Sequence, residues 1–387
     1  MPSPKNSQQI SQENSRENSL GFNKENKNTK VVVAMSGGVD SSVVACLLKE
    51  QGYDVVGITL QLYDIGDALK KKNACCAGVD IEDAKKVAQK FDFPHYVLNY
   101  QNLFRESVID DFADSYLQGE TPIPCIKCNQ SVKFRDLLKV ARDLGAEALA
   151  TGHYVRREVG ENDESQLHKA VDDGKDQSYF LFATTKEQLD FLRFPLGGNT
   201  KEETRKEAIR LGLEIAQKPD SQDICFVPNG NYADVIRRHR PTAFKEGNLV
   251  HIETKKILGK HDGIVNFTLG QRRGLGIAYP EPLYVVKIDP KENIVFVGEE
   301  KYLQNRKFKI RDLNWLAADV DIENPLQVKV RLRSNHEEES ATVRILANGE
   351  AEVEMNSMTR AITPGQACVI YQDSRVLGGG RITKEIE

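Results

Sequence analysis

No apolar run in these 387 residues approaches the ~18 that a membrane-spanning helix needs. An apolar signal core is also missing, and Glu13, Glu17 and Glu25 argue against a transit peptide, a class poor in acids. No excess of basic charge exists, since the formal net charge is −4, so any nucleic acid must be held by local patches. Neither the Gly-Lys-Ser/Thr ending of a Walker loop nor a G-x-G-x-x-G dinucleotide fingerprint is present. Metal patterns are thin: no His-x₃₋₅-His occurs, and the second close cysteine pair, Cys75-Cys76, is adjacent rather than spaced by two. No internal repeat is evident. What remains is a soluble, cytoplasmic, globular chain, 40% hydrophobic and 28% charged, in which no membrane contact is expected. Seven cysteines, an odd number without an export signal, fit a reducing compartment where thiols serve chemistry or metals.

The most informative stretch is Val31-Val32-Val33-Ala34-Met35-Ser36-Gly37-Gly38-Val39-Asp40-Ser41-Ser42. It predicts a short strand, a Ser-Gly-Gly turn and a helix continued by Val43, Val44, Leu47 and Leu48. Paired glycines let backbone approach an anion without a Cβ in the way. Ser36, Ser41 and Ser42 add hydroxyls, and the helix start presents unpaired N–H groups at the positive end of its dipole. That is a phosphate cradle. An ordinary Gly-rich turn between strand and helix is the bland alternative, disfavoured by the order strand, motif, helix.

Downstream, Val55–Leu60, His95–Leu98 and Ala148–Ala150 have strand length, while Ile81, Ala84, Val87, Ala88 and Phe91 follow helical spacing. Phe134, Leu137, Leu138, Ala141 and Leu144 mark a second helical face. Strands alternating with helices imply a doubly wound parallel α/β sheet, with the ligand at the carboxyl ends of its strands. Residues 1–29 are polar and are expected to be a disordered extension. A nucleotide-binding catalytic domain is expected over 30–213 and a small mixed central domain over 214–281. From 282 to 387 short alternating segments, among them Tyr284–Ile288 and Ile294–Val297, suggest a C-terminal β-barrel or sandwich. Two prolines make Thr121–Asn129 a loop, and Gly378-Gly379-Gly380 reads as the turn closing the barrel.

Cys125-Ile126-Lys127-Cys128 is a C-x-x-C pair, open by itself between half a zinc site, a redox pair and part of an iron–sulfur site. Cys225, in Lys218-Pro219-Asp220-Ser221-Gln222-Asp223-Ile224-Cys225-Phe226, falls on a loop or element end. Cys46 and Cys368 read as buried small hydrophobes.

Taken in order, SGGVDSS, CIKCNQSVKF, ATGHYVR, KDQSYFL, KPDSQDICF, FTLGQRRGLGI and TPGQACVIY resemble the tRNA-specific 2-thiouridylase family, PP-loop ATP pyrophosphatases, over nearly everything from Lys30 to Gly380. The resemblance implies that ATP, with Mg²⁺, adenylates the C2 oxygen of the wobble uridine of tRNA and that a cysteine persulfide replaces it by sulfur. It places the persulfide on Cys225 and the resolving nucleophile on Cys128, with Cys125 auxiliary and Asp40 catalytic. ATP would be held by Ala34, Met35, Ser36, Gly37, Gly38, Val39, Asp40 and Ser41, with Leu60 and Gly152. Ile123, Pro124 and Cys125 match the segment holding the target base; His153, Lys175, Asp176 and Gln177, with Arg331, Leu332 and Gln366, match tRNA or base contacts. A cysteine desulfurase or a sulfur carrier protein is implied as donor, and a monomer is expected.

The residue chemistry agrees. A carbonyl oxygen leaves poorly without nucleotidyl activation, and releasing the outer sulfur of a persulfide needs a second thiol to take the inner one as a disulfide. Many family members carry aspartate where this chain has Cys125, which opens a second route: Cys125, Cys128 and Cys225 as three ligands of a [4Fe–4S] cluster. Competing readings are another PP-loop amidation or ligation enzyme, which needs no paired thiols, and an RNA- or metal-binding protein with a degenerate loop. Arg237-Arg238-His239-Arg240 and Arg272-Arg273 are either solvated faces or phosphate contacts.

Overall fold

The computed structural model describes residues 17–62, 78–220, 224–227 and 230–386. Val31, Val32 and Val33 are wholly buried, because their strand, Lys30–Ala34, is covered on both faces. It lies at the centre of a five-stranded parallel sheet, paired with Asp54–Gln61 on one side and Ala148–Thr151 on the other. His95–Asn99 and Leu192–Arg193 form the edges. The chain leaves the central strand through the Ser-Gly-Gly turn into the helix Val39–Glu50, then crosses to one neighbour, while the other neighbour comes from later sequence. The turn therefore opens at the switch point of the sheet, where doubly wound folds leave a crevice.

The C-terminal region is a closed barrel of six strands, Gln304–Trp315, Ala351–Arg360, Glu339–Ile345, Leu326–Arg331, Ala367–Gln372 and Arg375–Ile386, the last pairing back to the first. Alternate residues such as Val330, Val343, Val353 and Ile370 fill its interior. Between the two units, Tyr284–Asp289, Ile294–Gly298, Gly247–His251 and Ile257–His261 form a four-stranded sheet. Among the described residues no helix is long and apolar enough to cross a membrane.

Four expectations are corrected. Tyr284–Asp289 and Ile294–Gly298 belong to the central sheet rather than the barrel, through the parallel pairing of Ile294–Val297 with Asn248–His251. Alternation identifies a strand but not its sheet. The loop ends at Ile123; Pro124 opens a helix that continues through Asp143, because proline at the first helical position loses no bond. Gly378–Gly380 lie inside a barrel strand, where a Cβ at Gly379 would meet the Cys368 carbonyl at 2.6 Å and the Phe182 ring at 2.7 Å. Of the extension expected to be disordered, residues 1–16 lie outside the described residues, but 17–29 pack on the sheet domain. Leu20 is buried, its carbonyl accepts from Arg193 Nε at 2.7 Å, and the Arg193 guanidinium lies 4.7 Å from the Phe22 ring centre.

A hairpin that periodicity did not reveal, Val155–Val159 with Ser165–Lys169, leaves the sheet domain and lies on the barrel edge opposite Arg375.

Candidate active site

The cradle has the backbone its sequence demands. Gly37 has φ +72°, and a Cβ there would lie 2.0 Å from the Asp80 carbonyl oxygen, so only glycine fits. Gly38 caps the helix in extended conformation, and its carbonyl accepts from Ser42 Oγ at 2.9 Å. Ser36 N–H donates to Ser41 Oγ at 3.1 Å, fixing two hydroxyl positions at the mouth of the helix. Gly152 packs directly on that mouth: a Cβ would lie 2.7 Å from Ser41 N. Met35 and Val39 are buried beneath the loop and Ala34 is half-buried; Leu60, near the end of the adjoining strand, is buried too. Ala34 to Ser41 and Gly152 thus meet at one helix N-terminus, with Leu60 near the carboxyl end of the neighbouring strand.

Asp40 is engaged from inside the protein. Its carboxylate accepts from Lys201 Nζ at 2.6 and 2.8 Å and from Tyr154 O–H at 3.0 Å. Lys201 also meets Asp220 at 2.9 Å, and Asp220 is reached by Lys175 at 2.7 Å and Arg205 at 3.4 Å. Burial raises the Asp220 carboxyl, but hydrogen bonds from Lys175 and Lys201 outweigh it and hold it down at about 2. Nearby, Lys218 donates to the Gly37 carbonyl at 3.0 Å and to Asp80 and Asp83 at 2.6 and 2.8 Å. Tyr154, Lys201, Lys218 and Asp220 escaped the sequence reading. Lys201 stands just inside a capping box of Thr200 and Glu203, a place where lysine is normally solvated; only the fold buries it.

Cys128 is buried at the start of a stretch of wide helical turns, Cys128–Asp136, and Cys125 and Cys225 are half-buried. Wide turns of this kind concentrate at functional sites. Cys128 belongs to the large apolar core against which Cys225 packs, and Phe226 sets its ring edge-on to Phe104 and Phe112. All three cysteines are reduced thiols. Among the described residues no group of three or more His, Cys, Asp or Glu side chains is placed to hold a metal ion. Cys75 and Cys76 lie outside the described residues. Cys46 and Cys368 are buried as expected, and burial drives both thiols up, Cys46 to about 12.

The residues matched to tRNA contacts divide. Ile123 caps the Pro124 helix, so Ile123, Pro124 and Cys125 immediately precede the turn that carries Cys128. His153 shares a 2.9 Å hydrogen bond with Thr151 Oγ1 and lies edge-on to Phe134; burial and the charge of Lys133 lower its pKa, so the ring is neutral. The other matched positions are committed within the protein. Asp176 accepts from Arg331 at 3.0 Å and from Ser178 Oγ at 2.7 Å. Gln177 Oε1 accepts from Tyr154 N–H, Gln366 Nε2 donates to the Thr121 carbonyl, and Leu332 is buried. Of these contacts, Asp176 with Arg331 and Gln366 with Thr121 tie the barrel to the sheet domain. Arg240 likewise pairs with Asp110 and Asp114, whereas Arg272 and Arg273 are exposed on a glycine-rich loop of the central unit.

Comparison with known proteins gives the following. The family model described as tRNA methyl transferase HUP domain matches residues 29–229. One described as tRNA methyl transferase PRC-barrel domain matches 233–299, and one described as Aminomethyltransferase beta-barrel domain matches 305–382. A protein of Rickettsia conorii named tRNA-specific 2-thiouridylase MnmA is 61% identical over 360 residues, covering 93% of this chain and 97% of its own length. The protein of the same name from Rickettsia felis is 60% identical, with 93% and 98% covered. Among solved structures, a 4-thiouridine synthetase–RNA complex with bound ATP aligns at TM-score 0.35 and 17% identity, over 55% of this chain and 50% of that one.

Proposed function

The chain belongs to the tRNA-specific 2-thiouridylase family and is a tRNA-thiolating enzyme, and on that premise we propose that it works by ATP-dependent adenylation followed by sulfur transfer between two cysteines. The observation that carries this reading is the joint presence of a preformed phosphate cradle and two thiols, Cys128 and Cys225, on one apolar core. The descriptions of the family models name methyl transfer; that chemistry has no use for this pairing, whereas the thiolation named for the relatives does.

Backbone N–H groups at Gly38–Ser41 and the hydroxyls of Ser36 and Ser41 face the place where phosphate charge is held. The uridine C2 oxygen attacks the α-phosphorus of ATP, pyrophosphate leaves, and O2 becomes a good leaving group as AMP. Ile123 and Pro124 bring the target base to the Cys128 helix. The terminal sulfur of a Cys225 persulfide bonds to C2, the O2–C2 bond breaks, and AMP departs. Cys128 thiolate attacks Cys225 Sγ, so the two cysteines end as a disulfide and the sulfur stays on the base. An external dithiol must then reduce that disulfide. A desulfurase or sulfur carrier supplies the next persulfide, and the upstream reaction is therefore one that delivers sulfane sulfur. His153, neutral, serves as a hydrogen-bonding group rather than a charge near the base.

Cells lacking the gene should lose 2-thiouridine at the wobble position, measured by mass spectrometry of tRNA hydrolysates, and the wild-type gene should restore it. Cys128→Ser and Cys225→Ser should not restore it, while Cys125→Ser should retain part of the activity. Normal thiolation in the deletion strain, or full complementation by Cys225→Ser, would overturn the reading.

A further inference from the structure

Three cations converge on one carboxylate at the edge of the cradle. Lys175, Lys201 and Arg205 approach the Asp220 oxygens at 2.7, 2.9 and 3.4 Å. Lys201 simultaneously holds Asp40, in the first turn of the cradle helix, at 2.6 Å. Asp172 joins them, its Oδ2 accepting from Lys201 N–H at 2.9 Å, so three acids and three bases meet here and an incoming anion must displace one of the acids. Arg205 Nε is moreover buried with no hydrogen-bond partner. A structural ion pair needs one cation; three around one carboxylate, with an N–H left over, describe a site built for a ligand of higher negative charge.

The cradle itself lacks the lysine that a Walker loop supplies, so the charge of a nucleotide's outer phosphates has no cation from the loop. We propose that Lys175, Lys201 and Arg205 are the cationic half of the triphosphate site, taking the β- and γ-phosphates that leave as pyrophosphate, and that Asp220 fills this half as an internal stand-in until nucleotide displaces it. The inference rests on the reading of the cradle as an ATP site and extends it to residues outside the motif. Carboxylate and phosphate oxygens use the same ammonium and guanidinium donors, and the doubly charged phosphate oxygens of the ligand outcompete a single carboxylate. Asp220 stands in the same Lys218–Phe226 segment as Cys225. Nucleotide binding and the tether of that segment are therefore linked: whatever ATP takes from Asp220, the segment loses as an anchor.

The test measures binding of inorganic pyrophosphate and of ATP to the full chain by calorimetry, without tRNA. Asp220→Asn keeps the shape but removes the competing charge, and should tighten pyrophosphate binding by about tenfold, the penalty expected when only about a tenth of the molecules have the site free. Lys201→Gln should weaken it, while Lys206→Gln, on the exposed face of the same helix and paired to Glu202, should leave it unchanged. Binding to a folded Asp220→Asn protein that equals or falls below wild type would overturn the proposal. Should that variant not fold, Lys175→Gln and Arg205→Gln decide: severalfold weakening by both supports the site, and unchanged affinity in both refutes it. Failure of the ATP reading is a different result, in which wild type binds neither ligand.

Discussion

Gly152 shows how a single missing side chain decides a site. Because a Cβ there would press on Ser41 N at 2.7 Å and on the Asp40 carbonyl carbon at 2.9 Å, Gly152→Ala must push the cradle helix away from the strand end. The expected outcome is loss of ATP binding with a stability cost of about 1–3 kcal/mol, typical of overpacking a tight contact; calorimetry and thermal melting report the two separately. Asp220 makes the complementary point about charge. Its folded pKa of about 2 lies below the ordinary 3.8, so its contribution to stability is present above pH 4 and disappears as pH falls from 4 towards 2. Denaturant titrations across that window should show a loss on the order of 2 kcal/mol in wild type that Asp220→Asn lacks.

At the scale of elements, the Pro124–Asp143 helix that carries Cys125 and Cys128 is aimed by what precedes it. Glu120, buried, accepts from Arg311 of the barrel at 3.1 and 2.8 Å, and Thr121 is bonded through its N–H to Pro364 and through its carbonyl to Gln366. The barrel thus grips the chain just before Ile123 and Pro124 turn into helix. Arg311→Met should strand the Glu120 charge and cost about 2 kcal/mol, discounted from a fully buried pair because Arg311 is part-exposed. Pairing it with Glu120→Gln should recover most of that loss. Equal denaturation midpoints for the single and the double variant would show that the grip does not depend on this charge.

Across the whole molecule, the arginines fall into two kinds that sequence cannot distinguish. Arg331 is nearly enclosed, bonded to Asp176 at 3.0 Å and Glu338 at 2.9 Å and stacked on Tyr371. Tyr179 O–H reinforces the same seam by donating to the Leu332 and Ala367 carbonyls. Arg331→Ala should lower the melting temperature, since it leaves the buried Asp176 carboxylate without its cation while Glu338 keeps Lys169, and the salt dependence of tRNA affinity should stay as in wild type. Arg272→Ala and Arg273→Ala, on the exposed central loop, should do the reverse: unchanged melting, with the slope of log K against log salt reduced by about one unit for each phosphate no longer neutralised. Affinity measured at several salt concentrations separates the two classes.

The sequence by itself determined the elements whose causes are local. The strand-turn-helix of the cradle was legible because Gly37 and Gly38, the serines and the apolar run act within a dozen residues of one another. The parallel sheet followed from the alternation of strand and helix, and the barrel from short alternating segments. The cysteines of interest could be named from the C-x-x-C spacing and the resemblance, while Cys46, on the apolar face of a helix, and Cys368, in a strand, could be set aside as core residues. What only the tertiary structure decided is everything that depends on partners far along the chain. Whether Tyr284–Asp289 joined the barrel or the central sheet turned on pairing with Ile294–Gly298 and, through it, Gly247–His251, an event that no local pattern records. Leu20 and Phe22 order a polar tail because Arg193 happens to lie where they can meet it. Lys201 and Asp220 carried no signal in the sequence, and only the fold sets them against Asp40, Lys175 and Arg205; because charge energies fall off over a few ångströms, that placement decides what they do.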